Sequence, residues 1–257
     1  MNAMQTLVAL WTVVLKEIKR FTRIWPQTLL PPSITMTMYF IIFGNLIGSR
    51  IGAMDGFTYM DFIVPGLIMM AVITNSYSNV ASSFFSNKFQ RSVEEMMVSP
   101  MPSWVILSGY IFGGMARGLG VGLIVTLVSL FFTRLTLEHP FLTLLVVVLT
   151  SALFSIGGFI NALLANKFDD ISIVPTFILT PLTYLGGVFY SISMLPDFWQ
   201  GVSMLNPILY MVNVFRYGFL GVSDIPVGWA LAAIVGFILV LFVVALKMLE
   251  RGKGIRA

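Results

Sequence analysis

Apolar residues run along this chain in blocks too long for the alternation of a water-soluble fold. Six blocks supply the about 20 mostly apolar residues that a helix needs to cross hydrocarbon. They fall near 27–48, 60–85, 104–132, 141–165, 171–190 and 229–249. Ahead of them, Leu7, Leu10, Trp11, Val14, Ile18, Phe21 and Trp25 recur at helical spacing, with Lys16, Lys19, Arg20 and Arg23 turned away from that stripe. This pattern predicts an interfacial helix over 1–26, lying on the cytoplasmic leaflet as an anchor, with docking to a partner as the alternative. The rest, 27–257, is expected to form one transmembrane domain.

Residues 191–228 are apolar but broken at Asn206-Pro207. A single crossing there would make seven spans and turn the basic C-terminus outward, against the charge rule. The segment therefore reads as an outer-face re-entrant helical hairpin over about 194–221. Asn206 would cap a helix opening on Pro207, and Gly221 would stop it. Broken backbone at membrane depth needs cover from protein or a cavity, so the hairpin is expected to form a packed or cavity-lining outer gate.

Charge orients the spans. Of 15 basic residues, Lys16, Lys19, Arg20, Arg23, Lys88, Arg91, Lys167, Lys247, Arg251, Lys253 and Arg256 fall on the face shared by both termini. Arg50, Arg134 and Arg216 fall on the other, and Arg117 lies within a span. Both termini are thus expected in the cytoplasm. Composition agrees with a membrane solvent: of 257 residues, 58% are hydrophobic and 10% charged, and the mean hydropathy is +0.93. The chain reads as an all-α integral membrane protein.

Composition also excludes chemistry. Without cysteine there is no thiolate metal site, disulfide or cysteine nucleophile. The one histidine, His139, precedes Pro140 in a short polar break and reads as a solvated loop residue. No catalytic residue and no metal site is expected, nor a nucleic-acid partner. The first 26 residues lack the short apolar core of a cleavable signal, so the start of the chain is expected to be retained.

One charged stretch interrupts the lipid-like pattern. In "SVEEMMVSP", Ser92 and Glu95 have capping-box spacing, and Glu94 and Glu95 suit the first turn of a helix. Pro100 disfavours helical geometry at Ser99, so the helix, over 92–99, is about two turns long. So short a helix is marginal alone. It is either a surface turn packed on its own spans or a docking helix, with Val93, Met96, Met97 and Val98 as an adaptable apolar surface.

Four features taken together resemble the type 2 ABC-exporter permeases, a family that includes drug, nodulation-factor and surface-polysaccharide exporters. They are "YMDFIVPGLIMM", "VEEMMVSPMP", "NPILYMVNVFRYGFLG" and the six-span layout behind a basic interfacial helix. The resemblance covers essentially the whole chain. It implies that the short helix is a coupling helix seated in a groove of an ATP-binding subunit. Glu94, Glu95, Met96, Met97 and Val98, with Ser92, Val93 and Pro100, would form or bound that contact. The chain has no phosphate loop, since its Gly252-Lys253 lacks the upstream glycine. No cofactor is therefore expected here, and ATP and Mg would be bound by a separate ATPase chain. The resemblance further implies a homodimer with two ATPase copies, membrane lipids as neighbours, a bacterial inner membrane, and export of an amphipathic or lipid-like molecule.

Candidate path residues follow. Arg117, in "GGMARGLGVG", lies about 20 Å along its helix, where a charge faces protein or water. It reads either as a substrate-path residue or as a structural hydrogen-bonding group, and the surrounding glycines permit close helix approach. In the fifth block, Pro175 and Pro181 give either a flexible pore-lining helix or a static kink. Tyr184, Phe189 and Tyr190 could offer rings to cargo or belong to an interfacial belt. Arg216, with Asn206, Pro207 and Tyr210, is expected to pair within the hairpin. Asp169 and Asp170 do not face each other on a helix and are expected to cap the fifth span.

Two other classes remain as alternatives. A secondary transporter or channel independent of an ATPase would show internal repeats or paired intramembrane charges, and neither is seen. An intramembrane enzyme would need groups that this composition lacks.

Overall fold

The computed structural model describes residues 2–54, 56–252 and 254, without the side chains of Asn45 and Ser49. Lys253 and Arg256, counted above among the basic residues, lie outside the described residues. The regular elements among the described residues are helices, apart from one short antiparallel hairpin of β1 (Ala53–Met54) and β2 (Phe57–Thr58). Four helices are long and apolar enough to cross a membrane: α5 (Tyr59–Phe89), α7 (Ser103–Ser129), α8 (Pro140–Leu164) and α13 (Val227–Glu250).

The first expected span is broken rather than continuous. Helix α1 (Ala3–Arg23) is followed by the short α2 (Trp25–Thr28) and by α3 (Leu30–Tyr39), a π-helical stretch Phe40–Ile47 and α4 (Gly48–Ile51). Pro26, Pro31 and Pro32 sit at the first positions of α2 and α3, where a missing amide leaves no bond unmade. The fifth expected span is likewise divided into α9 (Phe168–Val174), a π-helical stretch Pro175–Leu179 and α10 (Thr180–Tyr184). Pro175 cannot donate into the helical ladder, and the Thr180 hydroxyl takes up the Pro175 carbonyl at 2.9 Å. The helix ends at Tyr184 rather than at 190. Gly187 there takes a left-handed φ of 71°, which brings the chain into a turn.

Helix α5 is the hub and packs on α7, α8 and α12 (Pro207–Leu220). Pro65 lies within it, and Gly66 lets the following loop approach: a Cβ there would stand 2.7 Å from the Val188 carbonyl oxygen. One cluster of buried residues, including Phe62, Ile63, Leu67, Val188, Met211 and Phe215, fills one half of the bundle. A second, built on Phe84, Phe85, Tyr110, Phe159, Val93 and Leu249, fills the half from which α6 (Ser92–Val98) emerges.

The face of α1 that turns inward differs from the expected stripe. Val13, Val14, Glu17 and Phe21 are buried, whereas Leu7 and Trp11 are exposed. At 100° per residue, the buried face, which keeps Val14 and Phe21, is rotated by roughly a sixth of a turn from the apolar stripe. The reason lies in α7, where Gly109 and Gly113 leave room for Val13 and Glu17 to press against its backbone. Arg20 is consequently drawn inward, not turned away with Lys19 and Arg23, and Lys16 reaches Asn87 of α5 at 3.3 Å.

Candidate coupling and translocation sites

Helix α6 begins two residues after α5 ends. The expected capping box at Ser92 does not form: Ser92 is the first helical residue, and the N-cap is Arg91 with φ 62° and no side-chain cap bond. The link Gln90-Arg91 reverses the chain through that left-handed residue, leaving no place for the extended N-cap geometry a serine hydroxyl needs. At the other end Ser99 is extended, with ψ 157°, as the residue before Pro100 must be. Val93 is fully buried in the second cluster, and Met96 and Met97 are half-buried against it. Glu94, Glu95 and Pro100 are exposed, and Val98 is 89% exposed.

Exposed rings also lie at the end of α5. Phe89 and Phe168 lie 5.1 Å apart between centroids, each also in contact with Phe85, and they are 65% and 53% exposed. Lys88 ties the end of α5 to the end of α8, donating to the carbonyls of Leu163 at 2.8 Å and Ala165 at 2.6 Å. A cation there also answers the negative end of the α8 dipole. Asp170 reaches back to accept from the amides of Asn166 at 2.8 Å and Lys167 at 3.0 Å, which holds its carboxyl below the usual carboxylate range. Sequence reasoning passed over Phe168; its one signal was an aromatic residue in an otherwise polar loop.

Arg117 is half-buried. It donates to Asn75 Oδ1 at 3.2 Å and to the Thr28 carbonyl at 3.5 Å. Beside it, Arg20 pairs with Glu17 at 3.3 Å and donates to Asn79 Oδ1 at 2.7 Å. Glu17 is completely buried. It too was missed, although a single acid among four cations on one amphipathic helix was a visible anomaly.

The other path candidates lie elsewhere. Tyr184 packs on Phe189 at 5.8 Å, and Phe189 meets Phe43 at 4.8 Å and Tyr39 at 6.0 Å, forming one aromatic cluster. Tyr190 is half-buried and, among the described residues, shares none of these ring contacts. The structure thus gathers two of the three aromatics and leaves Arg117 bonded to a different set of helices.

In the segment expected to form the outer hairpin, α11 (Asp197–Met204) precedes α12. Asn206 caps α12 by accepting from the Ile208 amide at 3.0 Å and donates to the Leu182 carbonyl at 2.5 Å; Pro207 opens the helix. Tyr210 donates to the Met204 carbonyl at 2.7 Å. Gly221 ends α12 with φ 70°. Arg216 is 1% exposed, donates to the carbonyls of Gly187 and Phe62, and lies 3.8 Å over the Phe62 ring. It borders a cavity of about 250 Å³ with Ser223 and Asp224. Among the described residues no three acidic or histidine side chains gather as metal donors.

A bundle of long apolar helices, one of them continuing into a short helix with acids and apolar groups exposed, has counterparts in sequence. The profile of the family described as ABC-2 type transporter matches residues 8–220. The inner membrane transport permease YadH of Escherichia coli K12 is 59% identical over 250 residues, covering 97% of this chain and 98% of that one. Nodulation protein J of Sinorhizobium fredii is 24% identical over 206 residues, covering 80% of this chain and 79% of its own, and that of Rhizobium meliloti is also 24% identical, over 220 residues. The extent of the profile match and the identity to a transport permease of the same length lead to one conclusion: the chain belongs to the ABC-2 type transporter family, as a membrane permease.

Proposed function

We propose that this permease is the membrane half of an ATP-driven exporter, which docks a separate ATPase chain through α6 and moves an amphipathic or lipid-like molecule outward across a bacterial inner membrane. The observation that carries the reading is the exposure of Val98, Glu94 and Glu95 on α6, together with the exposed ring pair Phe89–Phe168 at the end of α5 from which α6 follows. Large apolar groups exposed at the end of a bundle, with acids exposed on the same short helix, suit a protein partner. Val93, Met96 and Met97 seat α6 on its own bundle, so a force applied there reaches α5 and α8 through Val93 and Lys88.

In this reading the broken segments α3–α4 and α9–α10 are the first and fifth of six spans, both termini are cytoplasmic, and ATP and Mg belong to the partner. Two copies of the chain assemble with two ATPases. Ser172, Thr176, Thr180 and Tyr184 recur every fourth residue and are all exposed along α9–α10. Small and hydroxyl-bearing side chains recur at helix–helix seams in membranes, so this row suits a seam or path shared with a second copy. The small outer loops favour a cargo without a dedicated recognition domain.

The test is native mass spectrometry of the tagged protein purified in mild detergent, with and without Glu94→Lys and Glu95→Lys. The expected species holds two permeases and two ATPases, and the double substitution removes the ATPases while the permease pair persists. An intact oligomer without an ATPase would favour a secondary transporter or channel. ATPases retained by the double variant would remove α6 as the docking element.

A further inference from the structure

Arg117 stands midway along α7, about 20 Å from either end, and its guanidinium has five N–H donors to place. Only Nη2 is bonded, at 3.2 Å to Asn75 Oδ1 and 3.5 Å to the Thr28 carbonyl. That carbonyl is available because the residue four places on is Pro32, which has no amide to give it. Nε is enclosed with no hydrogen-bond partner among the described residues, and Nη1 makes no bond there either. Both acceptors are neutral, so they solvate the charge without balancing it. Arg20 shows the balanced alternative, paired with Glu17 at 3.3 Å and bonded to Asn79 Oδ1 at 2.7 Å.

The chain supplies no acid of its own at this depth. Of its eleven acidic residues, Asp55 lies outside the described residues and Glu17 is taken by Arg20. The other nine stand in links or in the first or last turn of a helix. A second copy would bring the same set, so self-assembly leaves the midspan cation unbalanced. Such a charge is costly away from water, and charges within a membrane are met by a counter-charge or by a polar path. The surroundings select the kind of anion. Trp25, Leu30 and Ile34 flank Thr28 on the broken first segment, and all three are exposed. A hydrated inorganic anion has to shed its water to come among them, whereas an amphiphile brings a tail that these side chains cover.

We propose that Arg117 binds the anionic head, a phosphate or carboxylate, of an amphiphile through its unused N–H groups. The proposal deepens the export reading given above: the cargo so held has an acidic head, and its charge is met halfway across the membrane, where water is scarcest.

The test reads binding to the permease alone, so its failure leaves the docking of an ATPase untouched. Trp25, three residues from Thr28, is the reporter once Trp11, Trp104, Trp199 and Trp229 are replaced by phenylalanine. The full chain is placed in nanodiscs of phosphatidylcholine that contain increasing shares of brominated phosphatidylglycerol or, in parallel, of brominated phosphatidylcholine. Half-quenching of Trp25 is expected at an about fivefold lower share of the anionic probe. Arg117→Gln removes that preference, and Arg117→Lys, which keeps the charge, retains it. Asn75→Asp places a balancing carboxylate where Arg117 already meets Oδ1, and removes the preference with the arginine still present. It replaces the glutamine variant should that one fail to fold. A purely structural Arg117 would instead gain a firmer bond in Asn75→Asp and leave the preference unchanged. Equal quenching by the two probes before substitution overturns the proposal, as does a preference that survives Arg117→Gln or Asn75→Asp, or one lost in Arg117→Lys as fully as in Arg117→Gln. Relief of the anionic quenching by inorganic phosphate overturns it too, since the site would then hold the anion without a tail.

Discussion

Helices α5 and α13 both qualify as membrane spans, yet they live in opposite surroundings: 78% of the most apolar stretch of α5 is buried within the protein, against 17% of that of α13. The buried helix is the more polar of the two, carrying Asn75, Ser76, Asn79 and Ser83 in its interior, while α13 turns Leu239, Val240, Val243 and Val244 outward. In water the opposite would hold. Lipid is as apolar as leucine, so hydrophobic residues gain little by leaving it, whereas polar residues gain protein partners. Close packing and hydrogen bonds, not apolar area, therefore decide which helix is central.

The strongest challenge to this contrast is the same substitution on either side of it. Gly158 of α8 packs against the Tyr77 carbonyl of α5, where a Cβ would collide with backbone, while a Cβ at Gly236 of α13 would meet nothing. Gly158→Val should lower stability by about 3 kcal/mol and Gly236→Val by almost nothing, read from thermal unfolding in detergent. Equal effects would mean that α13 is as closely packed as α5.

Arg216→Met should cost about 2 kcal/mol, because the Phe62 carbonyl of α5 and the Gly187 carbonyl lose a buried charged donor. Denaturation of the purified variant measures it. Leu67→Ala on α5 should cost about 1 kcal/mol through lost packing, and Leu239→Ala on α13, at a position 62% exposed, should stay within about 0.5 kcal/mol. A larger loss at Leu239 would identify a partner on that face.

The smallest effect is expected outside the spans. The Asp170 carboxyl is depressed by the amides of Asn166 and Lys167. A depressed value stabilises the fold above the unfolded carboxyl range of about 4 and loses that contribution as pH falls. Asp170 is only half-buried at the surface, so the loss is slight. Asp170→Asn should lower the melting temperature slightly near pH 7 and leave it unchanged at acid pH, below the carboxyl range.

The polar row of α5 shows how much of the candidate site was legible. Asn75, Asn79, Ser83 and Asn87 stand in the sequence at regular spacing, but their partners are 23 to 71 residues away, and spacing alone names none of them. Arg117 stood out because a charge in a long apolar block has no local explanation. Glu17 did not, because on an amphipathic helix an acid beside lysines reads as part of a solvated face.

By itself the sequence determined the apolar lengths, the stop at Ser99 before Pro100, the start of α12 at Asn206-Pro207 and its end at Gly221. Each follows from backbone rules that act within a few residues: a missing amide, a clash before proline, a glycine free to take positive φ. Tertiary structure decided the rest. Which face of α1 turned inward depended on glycines about a hundred residues later, in α7. Arg91 displaced Ser92 as the cap because the chain had to reverse in two residues between packed helices. These outcomes rest on contacts between segments distant in the chain, and no local rule contains them.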